Sequence, residues 1–425
     1  MQSLAYTLVI AAASLVLALV PIEGAKAWTL KTLYSFCSQA DCSDGSVPLA
    51  GLLQDASGNL YGTTQGGGAK GDDGVVFALV PNGRKWTYEV LHSFCYSCGD
   101  GTNPGAALIA DVNGNLYGTT AQSGPTGCGT VFRLSPNAER TKWKEKMLYA
   151  ASCAPFGNNI LTGVTYEGAA TGTPYDGVSP LYGTTNSGGT GYGTVFALAP
   201  QGTKWKETDL YAFCPDGGNG CADGREPGQL IVAANGNLYG NTLLGGNADA
   251  GILYELAPNA RKARWHERVL YDFCSVANCT DGANPEGALV RDGDGNLFGT
   301  TTNAASEGGT VYELAKSGKS WQETVLCTFF ARHCGDGYLP QAGVILNGSG
   351  NLFGTTSVGG SGLGGTVFEW NGTTVKTLYN FCTLQNCADG AGPIAPLIRD
   401  PGGNLYGTTS GGGGANQGTV FELKP

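Results

Sequence analysis

A seven-residue unit, Gly-Asn-Leu-Tyr-Gly-Thr-Thr at 114–120, recurs in close copies along the chain and limits the possible folds more than any other feature. Copies begin at Gly58, Gly114, Ser179 (as Ser-Pro-Leu-Tyr-Gly-Thr-Thr), Gly236, Gly295, Gly350 and Gly403, so seven units are spaced 56, 65, 57, 59, 55 and 53 residues apart. Self-similarity at that period means one supersecondary unit per copy, each too small to bury its own faces. A chain of this length would otherwise suggest about two or three domains. The repeat instead predicts a single domain over 28–425.

Each unit reads as four short strands. In the second, Ala106–Asp111, Asn115–Gln122, Gly129–Ser135 and Trp143–Ala151 are the expected strands, with an Asn-Gly turn between the first two. The third strand recurs as Gly-Thr-Val-Phe and close variants, the fourth as a Trp followed by a Leu-aromatic pair. Four antiparallel strands repeated seven times predict an all-β, seven-bladed β-propeller. Trp28–Phe36 matches a fourth strand, whereas the chain stops at Pro425 just after a third. The N-terminal strand is therefore expected to complete the seventh blade in a 3+1 closure, which leaves no sheet edge open around the ring. Strand alternation also places the ring of one blade over Gly118 of its neighbour.

These motifs, Gly-Asn-Leu-Tyr-Gly-Thr-Thr, a Gly-rich loop, Gly-Thr-Val-Phe-x-Leu and Leu-Tyr-x-Phe, resemble the GloVer tandem-repeat family of exported bacterial proteins over nearly all of 28–425. The resemblance implies repeat architecture and secretion. It carries no reaction and no catalytic residues, and the cysteines after the fourth strand and the Trp before it are additions to the family pattern.

Residues 1–27 read as a signal peptide: an apolar run from Leu8 to Val20, then Pro21, then Ala25-Lys26-Ala27 as a small-x-small cleavage pattern. The expected location is secreted, periplasmic or cell-surface, with no membrane insertion after cleavage. Export agrees with 14 cysteines, because disulfides persist in oxidising compartments. Six local pairs lie in loops leaving fourth strands: Cys37 with Cys42, Cys95 with Cys98, Cys214 with Cys221, Cys274 with Cys279, Cys327 with Cys334, and Cys382 with Cys387. Hairpin register sets Cys128 opposite Cys153. Cys95-x-x-Cys98 lacks a second ligand pair for zinc, and Asp292–Asn296 lacks the glutamate of a calcium loop. No metal and no cofactor are expected.

The net charge of −10 argues against nucleic acid, which rewards clustered Lys and Arg. A glycan or protein partner and a monomeric state are expected. In an antiparallel blade the Gly-rich loops and the cysteine loops share one face, the natural place for a ligand. On it, Asp44, Asp100, Asp223, Asp281, Asp336 and Asp389 fill equivalent Cys-x-Asp-Gly positions. They form either a ligand-facing ring of carboxylates or Asx-type turns. The leading functional reading is a non-catalytic binding module. The alternative is a carbohydrate-active lyase or hydrolase built from irregular loop residues, with Arg225, Glu226, Arg332 and His333 as weak catalytic candidates. Departures from the repeat look scattered, which favours binding.

Overall fold

The computed structural model describes residues 27–153, 159–215, 217, 220–262, 264–304, 308–318, 320–330 and 335–425. The proposed signal segment thus lies almost entirely outside the described residues. Seven antiparallel blades form a ring. Blades 1 to 6 run in chain order, and the seventh holds Ile398–Arg399, Leu405–Thr409 and Thr419–Lys424 closed by Thr29–Ser35, which pairs antiparallel with the last strand. The 3+1 closure is as expected.

The innermost strand of each blade is shorter than the sequence suggests. In blade 2 it is only Ile109–Ala110 rather than Ala106–Asp111. The reason lies in the first threonine of the repeated motif. Thr63 Oγ1 donates to the Ala106 carbonyl of the next blade at 3.2 Å, so that segment faces its neighbour instead of its own sheet. The same bond recurs around the whole ring: Thr119 to Thr162, Thr184 to Gly228, Thr300 to Ala342, Thr355 to Ala395 and Thr408 to Ala50. Blade 4 has Asn241 there, whose Nδ2 reaches two carbonyls, Pro285 and Gly287. Six hydroxyls and one amide therefore stitch each blade to the next, each bond worth roughly 1 kcal/mol.

All seven outer strand pairs contain a β-bulge at the same place, opposite the aliphatic-aromatic step of the third strand, Val-aromatic in six blades and Leu253-Tyr254 in blade 4. The unpaired residue is the leucine of the Leu-aromatic pair, for example Leu91, Leu148, Leu270 and Leu378, each buried. A bulge adds one residue and reverses the alternation. Here it lets the leucine enter the core while the aromatic after it still faces the cysteine loop.

The glycine of the motif receives a ring, but from its own blade. A Cβ on Gly118 would lie 2.6 Å from Phe132 Cζ and 2.7 Å from Leu108, both in blade 2. The neighbour's contribution is one layer further out: Phe94 of blade 1 meets Phe132 edge-on at 5.1 Å. Register explains this, since Gly118 and Phe132 are directly paired across the second and third strands. Gly118→Val should overpack this contact and cost about 1–3 kcal/mol, seen as a lower melting temperature.

Candidate functional site

The loops after second strands and those after fourth strands do share a face, and they bond to one another. Ser46 pairs with Gly66, Thr102 with Gln122, Ala283 with Asn303 and Ala391 with Gly411. In blade 4 this contact lengthens into a strand, Arg225–Pro227, paired with the end of Leu238–Leu244, so that sheet has five strands. Six of the disulfides form as the sequence suggests, including Cys128–Cys153. Cys327 is also disulfide-bonded, while Cys334 falls outside the described residues.

Three of the loop aspartates, Asp44, Asp281 and Asp389, are buried and point inward. Asp44, fully buried, accepts from the Tyr34 hydroxyl at 2.6 Å and from the Ser38 hydroxyl and amide at 2.8 and 2.9 Å. Asp281 does the same with Tyr271 and Ser275, and Asp389 with Tyr379 and Thr383. Burial alone would raise the Asp44 and Asp389 carboxyls, but the converging donors more than offset it and hold both below the ordinary carboxylate range. Asp223 accepts from Tyr211, and Asp100 meets His92 Nε2 at 2.9 Å, the histidine standing where other blades carry tyrosine. In blade 5 the aromatic is replaced by Cys327, and there Asp336 is exposed. The aspartate therefore anchors the cysteine loop to the fourth strand wherever an aromatic partner exists. As ligand contacts Asp44, Asp281 and Asp389 are poorly placed, their oxygens being turned into the protein.

The turn at Asp292–Asn296 is likewise self-satisfied, Asp292 Oδ1 accepting from the Asp294, Gly295 and Asn296 amides. Arg332 and His333 lie outside the described residues. Arg225 is held by Asp249 at 2.8 Å, with Glu226 at 3.6 Å.

A different part of this face converges on the ring axis. The segments preceding the innermost strands of all seven blades enclose a central cavity of about 310 Å³. Blades 7, 1 and 2 present Ile394, Pro396, Leu49 and alanines, and blade 3 adds Leu161 beside Thr162 and Asn186. Leu161 is 52% exposed. The other arc carries most of the polar groups, Glu226 and Gln229 from blade 4, Glu286 from blade 5 and Gln341 from blade 6, set among Leu243, Pro227 and Pro285. Glu286 stands open to the channel with Gln341 Nε2 at 3.5 Å, yet the surrounding protein still pushes its carboxyl up by desolvation, a rise that the Gln341 bond tempers. Glu226 occupies a left-handed backbone position (φ 58°) that asparagine takes in blades 2, 3 and 5, although Val47 and Leu339 also adopt it. Sequence reasoning singled out Glu226 but missed Gln229, Glu286 and Gln341. Aligning the residues that follow the recurrent prolines would have gathered most of the lining.

Departures from the repeat occur around the ring, with Cys327 at the aromatic position in blade 5 and an added pair, Gly337–Tyr338 with Val358–Gly359, in blade 6. Blade 3 carries the longest insertion, between its first two strands. The cysteine loop that enters it lacks the aspartate, and blade 4 has the extra strand and Asn241.

The fold is shared with proteins of remote sequence. PorZ of Porphyromonas gingivalis, described as an essential bacterial surface component of the type-IX secretion system, is similar at 13% identity and a TM-score of 0.52, over 90% of this chain and 46% of PorZ. The chain thus spans less than half of PorZ's length. The sialidase of Trypanosoma rangeli (10% identity, TM-score 0.42, 94% of this chain and 59% of that one) and the α-L-arabinanase of Penicillium chrysogenum (14%, 0.45, 75% and 92%) superpose more loosely still. Such identities speak to fold alone. No curated protein matches the chain in sequence. Among the described residues no helix is long and apolar enough to cross a membrane. The model of the Gloeobacter/Verrucomicrobia repeat matches residues 24–169, 152–347 and 268–425, and the chain belongs to that family.

Proposed function

We propose that the protein is an exported binding module that takes a glycan at the channel mouth of its loop-rich face. The observation that carries this reading is the divided lining of the central cavity. An apolar arc of Leu49, Leu161 and Ile394 faces a polar arc of Glu226, Gln229, Glu286 and Gln341. A sugar ring has the matching character, with C–H faces and a rim of hydroxyls, and carboxylates and amides are the usual acceptors and donors for that rim. Disulfides throughout the same face suit an extracellular or periplasmic setting.

A second reading has an observation of its own. Two glutamates share one cavity, and the carboxyl of Glu286 is pushed up, as a general acid's would be. Glycoside hydrolysis would then use Glu286 as the acid and Glu226 as the carboxylate partner.

The test is a glycan-array screen of the oxidised protein, with every hit incubated and its products weighed by mass spectrometry. A hit returned intact, and weakened at least tenfold by Gln341→Ala and by Leu161→Asp, is the expected result. Cleaved products that vanish in Glu286→Gln would instead establish the enzyme. Hits indifferent to all three substitutions would remove the channel from consideration.

A further inference from the structure

The largest departure from the repeat builds a second cavity, on the face opposite the cysteine loops. In blade 3 the turn between the first two strands is replaced by an insertion that includes a 3-10 turn, Ala169–Thr171. It is fixed at two points. Tyr175, fully buried, packs edge-on against Tyr117 at 5.2 Å and pairs with Asp111 of blade 2, and Glu167 reaches Lys262 of blade 4 at 3.2 Å. Between these anchors the insertion forms one wall of a cavity of about 730 Å³, whose other walls are the inner strands and turns of blades 1 and 2. That volume falls within the range of small-molecule sites.

The chemistry of the walls is uneven. Leu53, Ile109, Leu116, Tyr166 and Pro174 give an apolar body. Two carboxylates reach it, Asp55 and Asp111, but each is consumed by its own turn. Asp55 accepts from the Ser57 and Asn59 amides, the Asn59 side chain and Tyr61, and Asp111 accepts from the equivalent four groups. The cation at the cavity is Arg140, on the hairpin between the outer strands of blade 2. It occupies the place that Lys262 holds in blade 4, where Glu167 pairs with the lysine. Arg140 is held more loosely: one Nη pairs with Asp55 at 3.6 Å and donates to the Tyr61 hydroxyl at 3.5 Å, and its side chain is 49% exposed. A guanidinium offers five N–H donors in a planar fork that suits a carboxylate, so most of that capacity remains available.

We propose that this cavity is a binding site for a small amphipathic carboxylate, its apolar body lying along the inner strands of blades 1 and 2 and its carboxylate on Arg140. The site is independent of the channel mouth, which opens on the other face and is lined by different residues.

The test uses the full oxidised protein and 4-phenylbutyrate as probe, with neutral 4-phenylbutanamide as its control, followed by titration calorimetry. Saturable binding of the acid, at least tenfold weaker for the amide and for Arg140→Gln, is the expected result. Ala169→Trp should abolish binding by filling the cavity. If that variant fails to fold, protection of Arg140 in the unmodified protein decides: bound 4-phenylbutyrate should shield it from phenylglyoxal, read by peptide mass spectrometry. No saturable binding of the acid, equal affinity for acid and amide, a folded Ala169→Trp that still binds, or an unshielded Arg140 would each overturn the proposal.

Discussion

Where blade 6 meets blade 7, Phe381 lies edge-on to Phe421 at 5.0 Å, Asp389 locks the cysteine loop to Tyr379, and a five-residue separation links Cys382 to Cys387. Where blade 2 meets blade 3, the phenylalanine, the loop aspartate and the short disulfide are all missing. Ala151 replaces the phenylalanine, and among the described residues the ring contact of Phe196 is a tilted one to Tyr149 at 6.4 Å, while the cysteine pairs back across 25 residues to Cys128. Edge-on aromatic pairs at 5.0–5.2 Å occupy the other six seams. The irregular seam is still buried, because Tyr175 of the insertion joins Tyr117 and Tyr166 in its core. The comparison teaches that a ring of repeats tolerates a defective junction when an inserted segment supplies the missing apolar surface from the opposite face.

The sharpest way to break that comparison is to empty each seam. Phe381→Ala and Tyr175→Ala each remove a fully buried ring and should each cost about 3–5 kcal/mol in denaturant unfolding. If Tyr175→Ala were nearly silent, the insertion would not be the substitute for the missing phenylalanine. A large loss accompanied by retained binding at the channel mouth would also separate stability from the function proposed for the other face.

A smaller difference is expected from the two kinds of disulfide. In the chain-entropy description, a bridge across 25 residues stabilises by about 3.5 kcal/mol and one across five by about 2 kcal/mol. Cys128→Ser with Cys153→Ser should therefore lower stability more than Cys382→Ser with Cys387→Ser. The reverse order would mean that the short bridges act chiefly by holding Asp389 and its equivalents in place.

Periodicity made the ring legible in the sequence, since strand count, closure and a shared loop face all follow from spacing and alternation. What remained hidden depends on counting residues across strands rather than along one. The bulged leucines are invisible because Leu-Tyr reads as ordinary alternation until the partner strand is set beside it. The loop aspartates were ambiguous for a similar reason, although a signal was present: Tyr34 and Asp44, Tyr271 and Asp281, and Tyr379 and Asp389 are each ten residues apart. Their blades pair the two groups, which converts a candidate ligand ring into an internal anchor. The channel lining was missed because its segments carry proline and glycine but no repeated functional residue.

The smallest effect separates seams by charge. At the junction of blades 7 and 1 the outer strand carries Tyr88, which stacks on Tyr34 at 3.9 Å and donates to the Asp44 carbonyl. At the junction of blades 4 and 5 the same strand position carries Glu323, half-buried near Asp281, with one buried oxygen of each carboxylate unpartnered and the Tyr312 hydroxyl, also unpartnered, beside them. Burial, followed by the charge of Asp281, pushes the Glu323 carboxyl up to about 7, and burial with Asp223 does the same to Glu267 at the preceding junction. A carboxyl raised on folding favours the native state in its protonated form. That contribution is complete below the unfolded value near 4.5 and is lost as the pH rises through about 7. Glu323→Gln mimics the protonated form, so it should raise stability by about 1–2 kcal/mol at pH 8 and leave it unchanged at pH 4.5. Tyr88→Phe should show no such pH dependence. Equal melting shifts for Glu323→Gln at the two pH values would mean that the carboxylate pair is not the source of the difference between these seams.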